Sequence, residues 1–360
     1  MLKQDSPLLA CPVALAWAVL TATLLHADEP TEERVYRHTL RQVSHPEPIL
    51  ADHPEYVAKI EEVPEGRWEA PRLIDDESAD LEVRCWRFSY NARGIIEMVN
   101  HLDGDKTAVV VVHPWGVDDG SGWVTPEPAG AAFQCTPRKN KLITKHLEEI
   151  VNPLLHRLRP TVRLVSFSLP GKEDPTRKRI YRSVRSIPTS LTRSQGEKEL
   201  SQKLRSFDYT GSALPNEVTL KSSAEMVDYF KSIPGLDANE PYNKQGYWQL
   251  PTPVHRAIDV DLSDVVFYDG EGYEILKAFL KSQGVRHVLL AGYNTDMCVC
   301  LTTAGYDNLR QDFNVFLIGD GTIATFPGQS SPANATNAAV AFASLKIFIT
   351  QEGWIRKKSP

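Results

Sequence analysis

Cysteine is scarce in this chain, at five among 360 residues. So few, so widely spaced, exclude a small scaffold framed by disulfides. Positive charge is not in excess either: the net charge of -6 gives no general electrostatic reason to expect nucleic acid as a partner. No internal repeat or low-complexity tract is present, which excludes solenoids and arrays. No glycine-rich turn follows the first strongly apolar run, where the residues are His113-Pro114-Trp115-Gly116. A flavin or nicotinamide protein on an α/β plan needs such a turn to lay backbone against phosphate, so no cofactor is expected. His101, His146, His156 and His255 are scattered without ligand spacing, and no metal is expected from them.

What is present reads as a globular chain, 42% hydrophobic and 24% charged. Most of its 25 prolines precede residue 255, so that part should be rich in loops. At the N-terminus Lys3 precedes an apolar run, Leu8 to Leu25, which ends at His26-Ala27 before Asp28-Glu29-Pro30. This is the layout of a secretory signal over residues 1–27. It implies a periplasmic or secreted protein with no membrane contact after cleavage; left uncleaved, the run would anchor the chain. Leu8-Leu9-Ala10-Cys11 imitates a lipoprotein box, but almost nothing apolar precedes it. Cys85, Cys135, Cys298 and Cys300 remain after the signal. A Cys85–Cys135 bridge and two unpaired buried thiols are equally compatible with export.

Residues 28–104 read as an N-terminal extension too poor in apolar residues to form a separate core. Leu81 to Phe88 alternates as a half-buried strand does. Ile95, Ile96, Met98, Val99 and Leu102 suggest a short amphipathic helix. From 105 to 355 strand and helix patterns alternate. Strands are expected near 108–112, 163–168, 264–267, 287–291 and 315–318. Helices are expected over 142–158 and 273–282, and from Ala333. The predicted fold class is α/β: a three-layer, doubly wound, mainly parallel sheet of Rossmann-like plan, with ligands at the carboxyl ends of its strands. An insertion of weak periodicity occupies about 171–255. Its basic stretch, Arg177 to Arg185, reads as a solvated face, with an anion-binding surface as the minority alternative. Tyr242, Tyr247 and Trp248 are candidates to roof a site or simply to anchor a loop.

The chemistry concentrates in Ala291-Gly292-Tyr293-Asn294-Thr295-Asp296-Met297-Cys298-Val299. A buried strand ends at Gly292, Thr295 or Asp296 is of N-cap type, and Leu301, Ala304 and Leu309 take helical spacing. Cys298 then falls in a first helical turn, where unpaired N–H groups favour a thiolate. A cysteine after a core strand is also an ordinary packing residue. The stretch resembles the signature of the isochorismatase-like cysteine hydrolases, in which a Thr-Asp pair follows a strand and Cys-Val opens a helix. Ala304, Asp307 and the run Phe313 to Asp320 resemble the elements that follow in that family.

The resemblance implies an isochorismatase-like fold and hydrolysis of a small-molecule amide or other C–N bond. It implies an aspartate at the end of the first strand, a lysine before a later helix, and a cysteine nucleophile with backbone N–H groups around Asn294–Met297 as the oxyanion site. It also implies a cis peptide just before the threonine, at Asn294–Thr295. The sequence departs from this at two places. His113 stands where the aspartate is expected, and the segment Asp264 to Gly272 holds no lysine, with Tyr268 or Asp269 near that position. His113 is therefore the candidate base and acid for Cys298, oriented by Asp118, Asp119 or Asp269. Asn294, Thr295, Asp296, Trp115, Asp269 and Tyr268 are the candidate substrate-binding residues. A metal held by Cys298, Cys300 and His113 is disfavoured, because residues two apart on a helix point away from each other. The alternative function is a non-catalytic member of the fold whose pocket binds a ligand or whose surface binds a partner. The expected partner is a small-molecule substrate; a homo-oligomer is left open.

Overall fold

The computed structural model describes residues 40–47, 49–50, 52–57, 66–89, 91, 94–114, 137–206, 219–225, 228, 251–325 and 332–359. The expected signal, Trp115, Asp118, Asp119, Cys135, Tyr242, Tyr247 and Trp248 lie outside these residues. In chain order the strands are β1 (Arg41–Gln42), β2 (Arg67–Glu69), β3 (Leu81–Ser89), β4 (Gly94–Leu102), β5 (Thr107–Val112), β6 (Leu164–Leu169), β7 (Val265–Tyr268), β8 (His287–Tyr293), β9 (Asn314–Ile323), β10 (Phe348–Thr350) and β11 (Ile355–Lys357).

The sheet is built around β5, whose six residues are all buried. Side chains alternate between the two faces of a strand, and here both faces are covered. Val109 and Val111 join Leu289, Ala291, Phe316 and Ile318 on one side. Ile143, Leu147, Ile150, Leu154 and Leu158 pack there from one face of a helical run; that run is Pro137–His146, a π turn Leu147–Val151, then Asn152–Leu158. Ala108, Val110 and Val112 face the other way with Leu290 and Leu317, under Leu276 and Leu280 of the helix Tyr273–Ser282 and Val340 and Ala343 of Pro332–Ala343. A continuous β-branched run therefore becomes the centre of a three-layer, doubly wound sheet, as its composition predicts.

The sheet order is β1-β2-β4-β3-β10-β9-β8-β5-β6-β7, with β11 also on β3. The six strands from β10 to β7 run parallel. From β5 the chain moves outward to β6 and β7, then returns to place β8 on the other side of β5. The order thus reverses between β5 and β8, and a crevice at such a reversal is where open α/β sheets bind ligands.

The extension enters this sheet through β3. It runs antiparallel to β4 over their whole length and meets β10 where Trp86 faces Ile349. The helix expected around Ile95–Leu102 is instead the strand β4. Met98, Asn100 and Leu102 are buried at every second position, and two of the residues that β4 buries, Glu97 and Asn100, are polar. Asn100 on the face of Met98 and Leu102, and buried Glu97 on the opposite face, hid the alternation; β3 supplies the partner that decides between strand and helix. Glu97 is neutralised by Arg67, at 2.9 Å with both side chains buried, and Asn100 donates to the Cys85 sulfur at 3.3 Å. Cys85 is a free thiol, its pKa pushed up by burial. Asp76 ties the extension to the start of β8. Its carboxylate meets His287 Nε2 at 2.8 Å and the Asp103 N–H at 3.0 Å. Burial pushes that carboxyl up, but His287, Asp103 and Arg286 outweigh it and hold it down at about 2.

The basic stretch of the insertion is only partly a solvated face. Arg177 is buried with its guanidinium 4.6 Å from the centre of the Tyr268 ring. It also donates to Asp174 and to the carbonyls of Pro170, Thr252 and Lys172. Arg179 pairs with Glu199 and Arg185 faces Glu271 at 3.7 Å, so these cations are matched by carboxylates of the same chain.

Candidate active site

Three strand ends converge at the crevice. β5 delivers His113, β7 delivers Asp269, and β8 delivers the turn that leads to Cys298. His113 leaves the strand with a φ of 46°, a left-handed conformation that costs a non-glycine residue about 1–3 kcal/mol. Backbone bonds on both sides hold it: its own N–H donates to Ser168 O at 3.1 Å, and the His255 N–H donates to Pro114 O at 2.6 Å. The kink keeps the imidazole from continuing into the sheet core.

The imidazole is 4% exposed. Its Nε2 lies 2.6 Å from Asp269 Oδ2, and Cys298 is close enough to act on the ring electrostatically. Burial alone would lower the imidazole's pKa. The charge of Cys298, the hydrogen bond to Asp269, the hydrogen bond to Cys298 and the charge of Asp269 outweigh that, and the pKa is pushed up to about 10. His113 thus sits between a thiol and a carboxylate. Of the three acidic residues offered by the sequence to orient it, Asp269 does so. Its backbone carbonyl is in turn fixed by Thr303 Oγ1 at 2.9 Å, which ties the β7 end to the segment after Cys298.

The turn before Cys298 is pinned to the end of β9. Thr295 donates its N–H to Ile323 O at 3.1 Å, and its hydroxyl meets that of Thr322 at 2.8 Å. Asp296 Oδ1 accepts from the Thr325 N–H at 2.8 Å. Neither side chain caps the helix, as the N-cap reading had it; Met297 occupies the N-cap position and its side chain does not cap the helix. The helix expected after Cys298 is two short pieces, Cys298–Leu301 and Tyr306–Leu309, separated where Thr302 turns extended. A single helical turn has little dipole, so the charge beside the sulfur comes from His113 instead. The cis peptide falls at Tyr293–Asn294, one residue before the expected place.

Asn294 is buried with its Oδ1 unpaired, while its carbonyl accepts from the N–H groups of Met297 and Val299. Tyr268 is wholly buried beneath Arg177, so it supports the site from the core instead of lining it. Cys300 faces away from the site: its sulfur donates to Met297 O at 3.0 Å, and burial pushes its pKa up to about 11. The scattered histidines have local partners. His101 meets Asp75, His156 meets Asp259 and His255 meets Thr144. His146 bridges Tyr293 OH and Asp320 O at 2.6 Å each, with burial drawing its pKa down to about 4. Among the described residues no group of three or more His, Cys, Asp or Glu side chains is placed to hold a metal ion.

One residue of this region escaped the sequence reading. Lys139, in the first turn of Pro137–His146, is 7% exposed and donates to Ala324 O. It reads as one of several surface cations in Arg138-Lys139-Asn140-Lys141. Its spacing from Ile143, Leu147 and Ile150 is nonetheless that of the inward face.

Comparison with known proteins supplies an independent view. Residues 253–346, which hold both Asp269 and Cys298, match the isochorismatase domain model. Among solved structures the chain is similar to a cysteine hydrolase from Pseudomonas syringae pv. phaseolicola, at 16% identity and a TM-score of 0.35, over 70% of this chain and 91% of that one. It is similar to a nicotinamidase from Bacillus subtilis at 12% identity and a TM-score of 0.33, over 68% of this chain and 99% of that one. An isochorismatase family protein from Desulfovibrio vulgaris gives 13% identity and 0.34, over 69% and 95%. No curated protein matches the chain. Over residues 253–346, the stretch that carries Asp269 and Cys298, the chain is similar to an isochorismatase domain.

Proposed function

We propose that this chain is a hydrolase of a small amide or other C–N bond, with Cys298 as nucleophile, His113 as acid and base, and Asp269 orienting the histidine. The observation that carries this reading is the 2.6 Å contact of His113 Nε2 with Asp269 Oδ2 at the carboxyl ends of β5 and β7, beside the turn that leads from β8 to Cys298. Raised well above neutrality, the imidazole holds a proton while the Cys298 sulfur attacks the carbonyl carbon. The carbonyl oxygen takes up the negative charge against the N–H groups around Cys298. His113 passes its proton to the leaving nitrogen, the C–N bond breaks, and an acyl-thioester remains. Water then gives a proton to His113 and attacks the thioester, and the carboxylic acid leaves as the sulfur is restored.

The test is the rate at which iodoacetamide modifies Cys298 at neutral pH, followed on the Cys298 peptide by mass spectrometry. The wild type is expected to react about 10²-fold or more faster than His113→Ala, the low end of the range for one acid–base group. Equal, slow rates in both proteins would leave the non-catalytic ligand-binding reading in its place.

We propose further that the Leu8–Leu25 run exports the chain to the periplasm or medium, on the strength of its charge and hydropathy pattern. The mature N-terminus is then expected near Ala27–Asp28. Recovery of a soluble cytoplasmic form that begins at Met1 would rule this out.

A further inference from the structure

The segment in which the family resemblance expects a lysine has none, yet a buried lysine approaches the nucleophile's turn from a different element. Lys139 comes from the helix that follows β5. Its ammonium donates to Ala324 O, directly after β9, and the neighbouring Thr325 N–H donates to Asp296 Oδ1 at 2.8 Å. The Asp296 carboxylate acts on the ammonium through its charge. Thr295 is laid against Ile323 and Thr322 of the same strand end. Lys139 therefore grips the surface on which the turn before Cys298 rests. A cation this deeply buried is unfavourable unless it is paired and hydrogen-bonded, and the carbonyl and the carboxylate that act on it belong to that junction.

We infer that Lys139 is a positioning residue: its buried ammonium fixes the 294–297 turn against the end of β9 and so keeps the Cys298 sulfur in register with His113. It acts on the nucleophile's turn through Ala324 and Asp296. Among the described residues, the charged or titratable groups that act on it include Asp296 from the turn and His146 from its own helix. Burial draws its pKa down to about 8, against the raising effect of Asp296. The grip is thus at full strength at neutral pH and is released at mildly alkaline pH.

This inference rests on the Cys298–His113 reading, and its test separates the two. Modification of Cys298 by iodoacetamide is measured across pH in the full-length wild type, Lys139→Met, Lys139→Arg and His113→Ala. Lys139→Met is expected to slow the reaction at neutral pH by about tenfold or more, the scale for a misplaced reacting group. Lys139→Arg, which keeps the charge, is expected to restore most of the rate. The wild-type profile should break near pH 8, and Lys139→Met should lack the break. Should Lys139→Met fail to fold, Asp296→Asn removes the carboxylate that raises the ammonium's pKa and must move the same break to lower pH. A Lys139→Met or Asp296→Asn profile superimposable on the wild type overturns the inference, even while His113→Ala slows the reaction. No effect of His113→Ala overturns the catalytic reading instead.

Discussion

Asp269→Asn is expected to cut hydrolysis by about 10²- to 10⁴-fold, the range for disabling a general acid–base group, while leaving the fold intact. Asp269 contributes a hydrogen bond and a charge to an imidazole that burial otherwise draws down. With asparagine there, burial is opposed by Cys298 alone, and the His113 titration moves downward from about 10. The imidazole NMR signal reads this directly. The same shift predicts a stability signature. A histidine whose folded pKa is raised from 6.5 to about 10 contributes stability that is full below 6.5 and lost as pH rises through 10. The gap in melting temperature between wild type and Asp269→Asn should therefore be wide in mild acid and narrow above pH 10. A gap that is flat across pH, with an unmoved His113 titration, would detach Asp269 from the histidine.

Gly292→Ala carries the largest expected loss of stability. Gly292 has a φ of +116°, and a Cβ there would lie 2.1 Å from Val112 O and 2.4 Å from Val112 N. These are main-chain atoms of the paired central strand, where Val112 and Gly292 face each other, so no side-chain rotation relieves the clash. The cost should exceed about 4 kcal/mol, which single substitutions reach only through such mechanisms. Gly284→Ala is the control: it also has a positive φ, +78°, but nothing lies within 4 Å of its Cβ. Its cost should be about 1–2 kcal/mol, that of the left-handed conformation alone. Urea unfolding of the two variants measures the difference, and equal midpoints would remove the steric argument. His113 follows Val112 directly, and Gly292 lies a few residues before Cys298. Widening this contact would also part the base from the nucleophile.

The parallel sheet was legible because β5, β6, β7, β8 and β9 are short apolar runs buried on both faces, so their composition alone marks them. The helix Tyr273–Ser282 was legible for the related reason that one of its faces is apolar. β4 was not, because it buries Asn100 on one face and Glu97 on the other, and their partners Cys85 and Arg67 lie on other strands. Cys298 and His113 could be named from the sequence, since each follows a strand that ends visibly. Asp269 could not be chosen over Asp118 and Asp119, because strand order decides which carboxylate reaches a histidine. Lys139 was hidden among neighbouring cations; only the partners supplied by Ala324 and Asp296 distinguish it.

The seam at Trp86 and Ile349 has a consequence for how this chain can be cut. β10 is three residues long and parallel to β9 on one side; its other side is closed by β3. β11 returns to the same strand. The extension is thus the hem of the parallel sheet. A fragment trimmed to begin at β5 would present Phe348–Thr350 as an open, apolar edge, the kind of surface on which a second copy adds as another strand. The residues before β5 thus cover an edge that β10 would otherwise expose.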